Sequence, residues 1–329
     1  EQMKRRALIS ETLDDAGAKS QYDGHVKRIL GSRQVLARIL KGAVAEYTDY
    51  SPEEIEAWIE PGIEIANTSL RPGEKENKML LITGDNTESK VPGEGTVTYD
   101  IRFRAYVPKR RRAETVKLLV NIEAQKKFYQ KYRIVTRGIF YGARMLSEQL
   151  DREFTDAEYD DLKKVCSIWI CMNAPAHIGN AMTEYRISRR NILGRIPERK
   201  ASYDKLSVII ICLNEKDDKN QRGGLHGFLN TLLSPSMSVT EKEEILARDY
   251  GIVMEQEMGE ELRQMCNLSE AIEEKGIEKG IEKGIEEGIE KGINLTKKVL
   301  RYVREGRNNE EIAELCGITI EQVHEITED

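Results

Sequence analysis

The chain has 329 residues, 39% hydrophobic and 33% charged, with a formal net charge of -6. That length and composition suit a globular protein with one sizeable core and exclude a disordered or fibrous chain. The longest apolar run, Leu206 to Leu213, is strand length and far too short to cross a bilayer, so no membrane partner is expected.

The net charge conceals two opposite fields. Asp100 to Leu150 carries 13 Lys/Arg against 4 Asp/Glu, whereas Ser238 to Asp329 carries 12 against 24. A basic field inside an acidic protein predicts a site for an anion. Cys166, Cys171, Cys212, Cys266 and Cys316 are scattered without metal-ligand spacing, as are the histidines. Buried thiols in a reducing cytoplasm, and no zinc site, are the expectation.

Residues 1–20 read as a polar leader without the apolar stretch of a secretory signal. From Gly24 to about Tyr47, Val26, Ile29, Leu30, Val35, Leu36, Ile39, Leu40 and Val44 recur near helical spacing, with Asp23 placed as N-cap. Ser51-Pro52-Glu53-Glu54 opens a second, short helix. Pro61 to Gly95 is turn-rich, with one strand at Met79–Ile82 and with Glu88 and Glu94 in a polar loop. A hairpin follows over 96–107 and 116–125, joined by Pro108-Lys109-Arg110-Arg111-Arg112, and then a helix over 130–149.

Lys164 to Met172 reads as a central strand covered on both faces. Glu184–Asn191 and Lys205–Leu213 supply two more strands, and Leu225–Leu233, Thr240–Arg248 and Met254–Met265 are helical. This order predicts an α/β (α+β) core over 21–215, a mixed central sheet flanked by helices, with a helical extension over 216–270.

Residues 271–294 repeat Gly-Ile-Glu-Lys, with glycine at 276, 280, 284, 288 and 292. Each glycine inside a helix costs about 1 kcal/mol relative to alanine, so the segment reads as a charged tether or as a helix stabilised by self-association. A period of four would wind a shared stripe right-handed. The tail, 295–329, has helix-turn-helix phrasing, with Gly317 in the turn and Thr319 as cap. Glu321, Glu325, Glu328 and Asp329 on its second helix would repel phosphate, which predicts a packing or oligomer module.

The hairpin carries the chemistry. Residues two apart in a strand share a face, which sets Asp100, Arg102 and Arg104 opposite Tyr99, Ile101 and Phe103. On the next strand Asn121, Glu123 and Gln125 share a face. Acids gathered there can hold a hard divalent cation. Arg102, Arg104, Arg133 and Arg137 read as phosphate clamps, or singly as a solvated face or strand-pair salt bridges, and the 109–112 loop as a tracker of a DNA backbone. Tyr129, Tyr132, Phe140 and Tyr141 are core or base-stacking residues, with Tyr141 near the site.

Asp100 followed by Glu123-Ala124-Gln125 resembles the PD-(D/E)xK nuclease superfamily, and its branch of Rpn-type recombination-promoting nucleases and PD-(D/E)xK transposases in particular. Asp23 to Lys27, Tyr132 to Gln149, Lys164 to Met172 and the Gly-Ile-Glu-Lys repeats extend the likeness over roughly 20–270. It implies a restriction-endonuclease-like core and a metal-dependent DNA endonuclease linked to recombination or transposition. Mg2+, or Mn2+ in its place, would be held by Asp100, Glu123 and the Ala124 carbonyl, with Asp23 as an extra acid. Gln125 stands where the superfamily usually has lysine and can hold a water but cannot supply the charge. Lys127, on the same strand face, is the better substitute than Lys126. Arg102, Lys127, Arg133 and Arg137 would bind DNA phosphate. The alternative is a catalytically weak or inactive nuclease-like DNA-binding or scaffold protein, oligomeric through 271–329.

Overall fold

The computed structural model describes residues 17–65, 88–91, 95–108, 115–125, 128, 131–155, 157–217 and 224–327. Contacts divide the chain into two compact units, at Ser269/Glu270.

The first unit opens with two helices rather than one. Residues 17–30 form α1, and α2 spans Arg33–Ala43. The Gly31 N–H still bonds the Lys27 carbonyl at 2.8 Å, but Ser32 is extended (φ -68°, ψ 140°) and breaks the run. A Cβ at position 31 would come within 2.7 Å of Ile65 Cδ1 and 3.1 Å of the Lys27 carbonyl, so a side chain there would make Ile65 shift. Asp23 therefore lies inside α1 and is not an N-cap. The predicted apolar stripe is the buried one, from Val26 through Leu40. Helix α3, Pro52–Trp58, starts on a reciprocal capping box between Ser51 and Glu54.

Strands β1 (Glu64–Ile65), β4 (Ile101–Pro108), β5 (Thr115–Gln125), β6 (Lys164–Cys171), β7 (Ala181–Arg186) and β8 (Leu206–Cys212) make one mixed sheet, ordered β1-β4-β5-β6-β8-β7. The β4/β5 hairpin is antiparallel with Ile101 opposite Ile122, while β5/β6 and β6/β8 are parallel. The predicted first hairpin strand is divided: β3 (Gly95–Thr98) pairs with β2 (Glu88–Val91), and β4 begins only at Ile101. Glu88 thus opens a strand instead of lying in a loop. Met79–Ile82, Glu94, Lys109–Arg112 and Lys127 lie outside the described residues.

Beyond their first residues, β6 and β8 are buried throughout, as their unbroken apolar runs require. Helix α4 (Ile134–Ser147) packs on both, burying Tyr141 and Met145 with Trp169 and Val208. A Cβ at Gly138 would come within 2.6 Å of Val208 Cγ1, so a side chain there would push α4 off the sheet. Strand β7 stops at Arg186, five residues short of its predicted end, and a short helix, α5 (Lys200–Tyr203), precedes β8. Helices α6 (Gly224–Leu233) and α7 (Val239–Tyr250) follow as predicted.

Helix α8 runs unbroken from Gln256 to Arg304, so the glycine repeat is helical and not a tether. In the second unit Val299 packs with Ile312 and Ala313 of α9 (Asn309–Cys316) and Val323 of α10 (Ile320–Thr327). Gly317 takes φ +68° between α9 and α10, where most side chains would be strained. The Thr319 hydroxyl accepts from Gln322 N–H at 3.2 Å, and the Gln322 side chain accepts from Thr319 N–H at 3.0 Å.

Candidate active site

Asp23, Lys27, Asp100, Glu123, Ala124 and Arg137 line one cleft of about 190 Å3, with Val26 and Met172 as its apolar walls. Asp23 and Lys27 are one helical turn apart and so share a face of α1. Asp100 arrives from the break between β3 and β4, and Glu123 and Ala124 come from the end of β5. The break matters because it frees the Asp100 backbone from the strand ladder. Its N–H donates to Glu123 Oε1 at 3.1 Å, and its Oδ2 accepts from the Ala124 N–H at 3.1 Å. Glu123 thus holds the Asp100 main chain and Asp100 holds that of Ala124, which fixes both carboxylates.

Lys27 completes the cluster. Its Nζ lies 2.6 Å from Asp100 Oδ1, with both side chains about four-fifths buried (17% and 20% exposed). The expected substitute lysine, Lys127, lies just after β5. The signal available was a lysine four residues after Asp23, on a helix that otherwise buries Val26, Ile29 and Leu30.

Arg137 enters from α4. Its guanidinium donates to the Tyr141 hydroxyl at 2.6 Å and to the Tyr132 hydroxyl, and lies over the Trp169 ring at 5.3 Å. Burial alone would lower the Arg137 pKa, but the Tyr141 hydrogen bond and the charges of Tyr141, Tyr132 and Glu123 outweigh it and raise it. Burial, with Glu123 and Asp100 nearby, lifts Tyr141 above the ordinary phenol range in spite of Arg137. A permanently charged guanidinium thus faces the cleft on an aromatic bed.

Other expected residues are not brought together. Arg102 is 3% exposed and forms an ion pair with Glu148, its guanidinium 5.2 Å from the Tyr99 ring centroid. It is a core ion pair and is closed to phosphate. Arg104 Nη2 pairs with Glu153 Oε1 at 3.0 Å. Arg133 is exposed at the N-cap of α4 and is not among the cleft-lining residues. The Gln125 backbone is in register with Cys171; its side chain, like Lys127, is outside the described residues. Tyr132 and Phe140 are exposed at 44% and 54%, so neither is core.

The burial of Arg102 has a measurable consequence. Arg102→Ala leaves Glu148 charged in the core, and removing one partner of a buried pair costs about 3–5 kcal/mol. Urea unfolding should show that loss, while a phosphate clamp would weaken DNA binding and leave the unfolding midpoint in place.

Compared with known proteins, the chain matches no family model, no curated protein and no solved structure. The reading of the cleft therefore rests on its own geometry. Among the described residues no three His, Cys, Asp or Glu side chains are grouped to hold a metal ion. The donor chemistry nevertheless fits a hard cation: Asp100, Glu123 and Asp23 line the same space, and a carboxylate has about four lone-pair sites. Lys27 supplies positive charge at the Asp100 oxygen such an ion would share.

Proposed function

We propose that the chain is a metal-dependent DNA endonuclease with a restriction-endonuclease-like core, linked to recombination or transposition, and that Asp100 and Glu123 hold Mg2+ or Mn2+. The observation that carries this reading is the pair of main-chain hydrogen bonds, Asp100 N–H to Glu123 and Ala124 N–H to Asp100, that fix two carboxylates in a cleft they share with Asp23, Lys27 and Arg137. A bound divalent ion would supply an activated water and neutralise charge on phosphorus.

The protein's own groups do the rest. The Asp100–Ala124 and Glu123–Asp100 hydrogen bonds hold the carboxylates in place. Ala124 lines the cleft beside them and offers its carbonyl as a further oxygen donor. Asp23 adds negative charge from α1. Arg137, fixed by two tyrosine hydroxyls, is set to bind a phosphate oxygen, and Lys27 can transfer its hydrogen bond from Asp100 to a phosphate or to the attacking water. The chain is also proposed to self-associate through the exposed isoleucines of α8.

Purified protein should relax or linearise supercoiled plasmid in Mg2+ or Mn2+ and stop on addition of EDTA. The Lys27–Asp100 pair favours a second reading, in which the lysine replaces the ion and the cleft binds DNA without cutting it. Retardation of duplex DNA with intact plasmid in both metals would establish that reading and end the hydrolytic one.

A further inference from the structure

Strand β7 is an edge of the sheet, and from Met182 onward both of its faces are exposed. The chain then leaves in a loop, residues 187–199, before α5. The base of this loop is tied down. Arg189 Nη1 donates to the Glu198 carbonyl at 3.2 Å, and its guanidinium lies 5.8 Å from the Tyr203 ring centroid. The Glu198 carboxylate accepts from Arg199 N–H and from the Ser202 hydroxyl, each at 2.7 Å.

The tip is apolar and stands in water. Ile192, Leu193 and Ile196 are 94%, 96% and 77% exposed, and Gly194 turns the chain at φ +62° with nothing within 4 Å of where its Cβ would be. Single exposed apolar side chains are ordinary, but three within five residues on a loop with a fixed base are a contact surface.

The frame around the tip has one sign. Residues 186–200 hold Arg186, Arg189, Arg190, Arg195, Arg199 and Lys200 against Glu198 alone. Arg190 and Arg195 are exposed and have no ion pair among the described residues. Apolar tips flanked by arginines match duplex DNA, in which phosphates flank every base step and leucine or isoleucine can wedge a step open from the minor groove. A lipid surface shares part of this chemistry, but the loop lacks the Trp, Tyr and Phe residues that anchor proteins at membrane interfaces.

Strand β7 runs antiparallel to β8, so the loop leaves from the end of the sheet away from the cleft: Arg186 is level with Ser207, Cys166 and Val120, whereas Glu123 and Ala124 lie at the end of β5. Glu123, Trp169, Ile210 and Thr183 are in register across the sheet, with Arg186 three residues past Thr183. With strands about 4.8 Å apart and a rise of about 3.3 Å per residue, the loop leaves the sheet about 17 Å from Glu123.

We propose that the Ile192-Leu193 tip is a DNA wedge: it enters the minor groove and unstacks a base step while Arg190 and Arg195 hold the flanking phosphates. The proposal rests on the reading of the chain as a DNA-acting protein but not on its cutting DNA.

The test uses the full chain without divalent metal and a duplex carrying 2-aminopurine at interior positions. Binding should raise 2-aminopurine fluorescence severalfold. Ile192→Ser with Leu193→Ser should abolish the rise and weaken binding about tenfold, with an unchanged circular dichroism spectrum because both side chains are solvent-exposed. Arg190→Gln with Arg195→Gln should lower the slope of log affinity against log salt by about 2. Unstacking by the serine variant equal to that of the wild type would overturn the wedge, as would preferential binding of the loop to phosphatidylserine vesicles. A chain that cuts plasmid in Mg2+ but gives no fluorescence change loses the wedge alone. Unstacking without cleavage upholds the wedge and removes the nuclease reading.

Discussion

Asp100→Ala is expected to lower plasmid cleavage in Mg2+ by about 1,000-fold or more, a loss of ~4 kcal/mol of transition-state stabilisation. The substitution removes a carboxylate, releases the Ala124 N–H that Oδ2 holds, and leaves Lys27 without its partner 2.6 Å away. Glu123→Ala should fall as far, because it deletes the second carboxylate and the acceptor of the Asp100 N–H. Residues that act as one unit are not additive, so the double variant should be scarcely slower than either single one. Wild-type cleavage by either variant would dissolve the assignment.

Lys27 separates catalysis from simple charge pairing. Lys27→Met removes a cation that competes with any metal ion for Asp100 Oδ1. A unit charge at 4 Å is worth about 1–4 kcal/mol between fully aqueous and surface-like dielectrics, so calorimetry should find Mg2+ bound about tenfold more tightly. Cleavage should nevertheless fall about 100-fold, because the group proposed to meet the phosphate or water is lost. Adding Gln125→Lys to that variant returns a lysine to the strand position at which the resemblance expects one, and partial recovery is the expected result. Tighter metal binding with undiminished cleavage would reduce Lys27 to an ion-pair partner.

Features that depend on neighbours in the chain were legible. The buried runs of β6 and β8, the capping boxes at Ser51 and Thr319, and the turn at Gly317 all follow from a few consecutive residues. Alternation also set Glu123 on the second hairpin strand, but it placed Asp100 within a strand where the structure has a break. It could not say what covers each end of a strand. Arg102 reads like a site residue, but it meets Glu148, which is 46 positions away at the end of α4, and that partner turns a phosphate ligand into a core ion pair. The same limit hid Lys27, whose role exists only because α1 lies against the end of β5. The division of the strand at Tyr99-Asp100 was hidden as well, because both flanking segments have strand-like alternation; only the Asp100 hydrogen bonds to Glu123 and Ala124 show why pairing stops there.

The repeat in α8 leads to a prediction of comparable size. Ile277, Ile281, Ile285, Ile289 and Ile293 are each half-exposed, between 49% and 59%, and the five glycines before them have open space where a Cβ would be. At about 100° per residue, the Gly-Ile-Glu-Lys units at 276, 280 and 288 set glycine and isoleucine side by side, with lysine flanking the glycine and glutamate flanking the isoleucine; the unit at 284 has Glu287 in the lysine position, and that at 292 continues with Asn294 and Leu295. Two copies meeting on this face in parallel bring the Lys flank of one against the Glu flank of the other. An antiparallel pair would set like charges together, so the charges select the parallel arrangement. Ten half-buried isoleucines contribute about 10 kcal/mol, against an association cost of about 4–15 kcal/mol, which suits a reversible dimer. Ile281→Lys with Ile285→Lys should shift the full chain to monomer in sedimentation velocity at micromolar concentration, weakening association by about 100-fold or more. Gly280→Ala with Gly284→Ala separates helix propensity from contact. Each alanine favours the helix by about 1 kcal/mol, so if propensity governed assembly the dimer would tighten. If the glycine face is where the helices approach, the added methyl groups hold them apart, and the chain becomes more helical yet more monomeric.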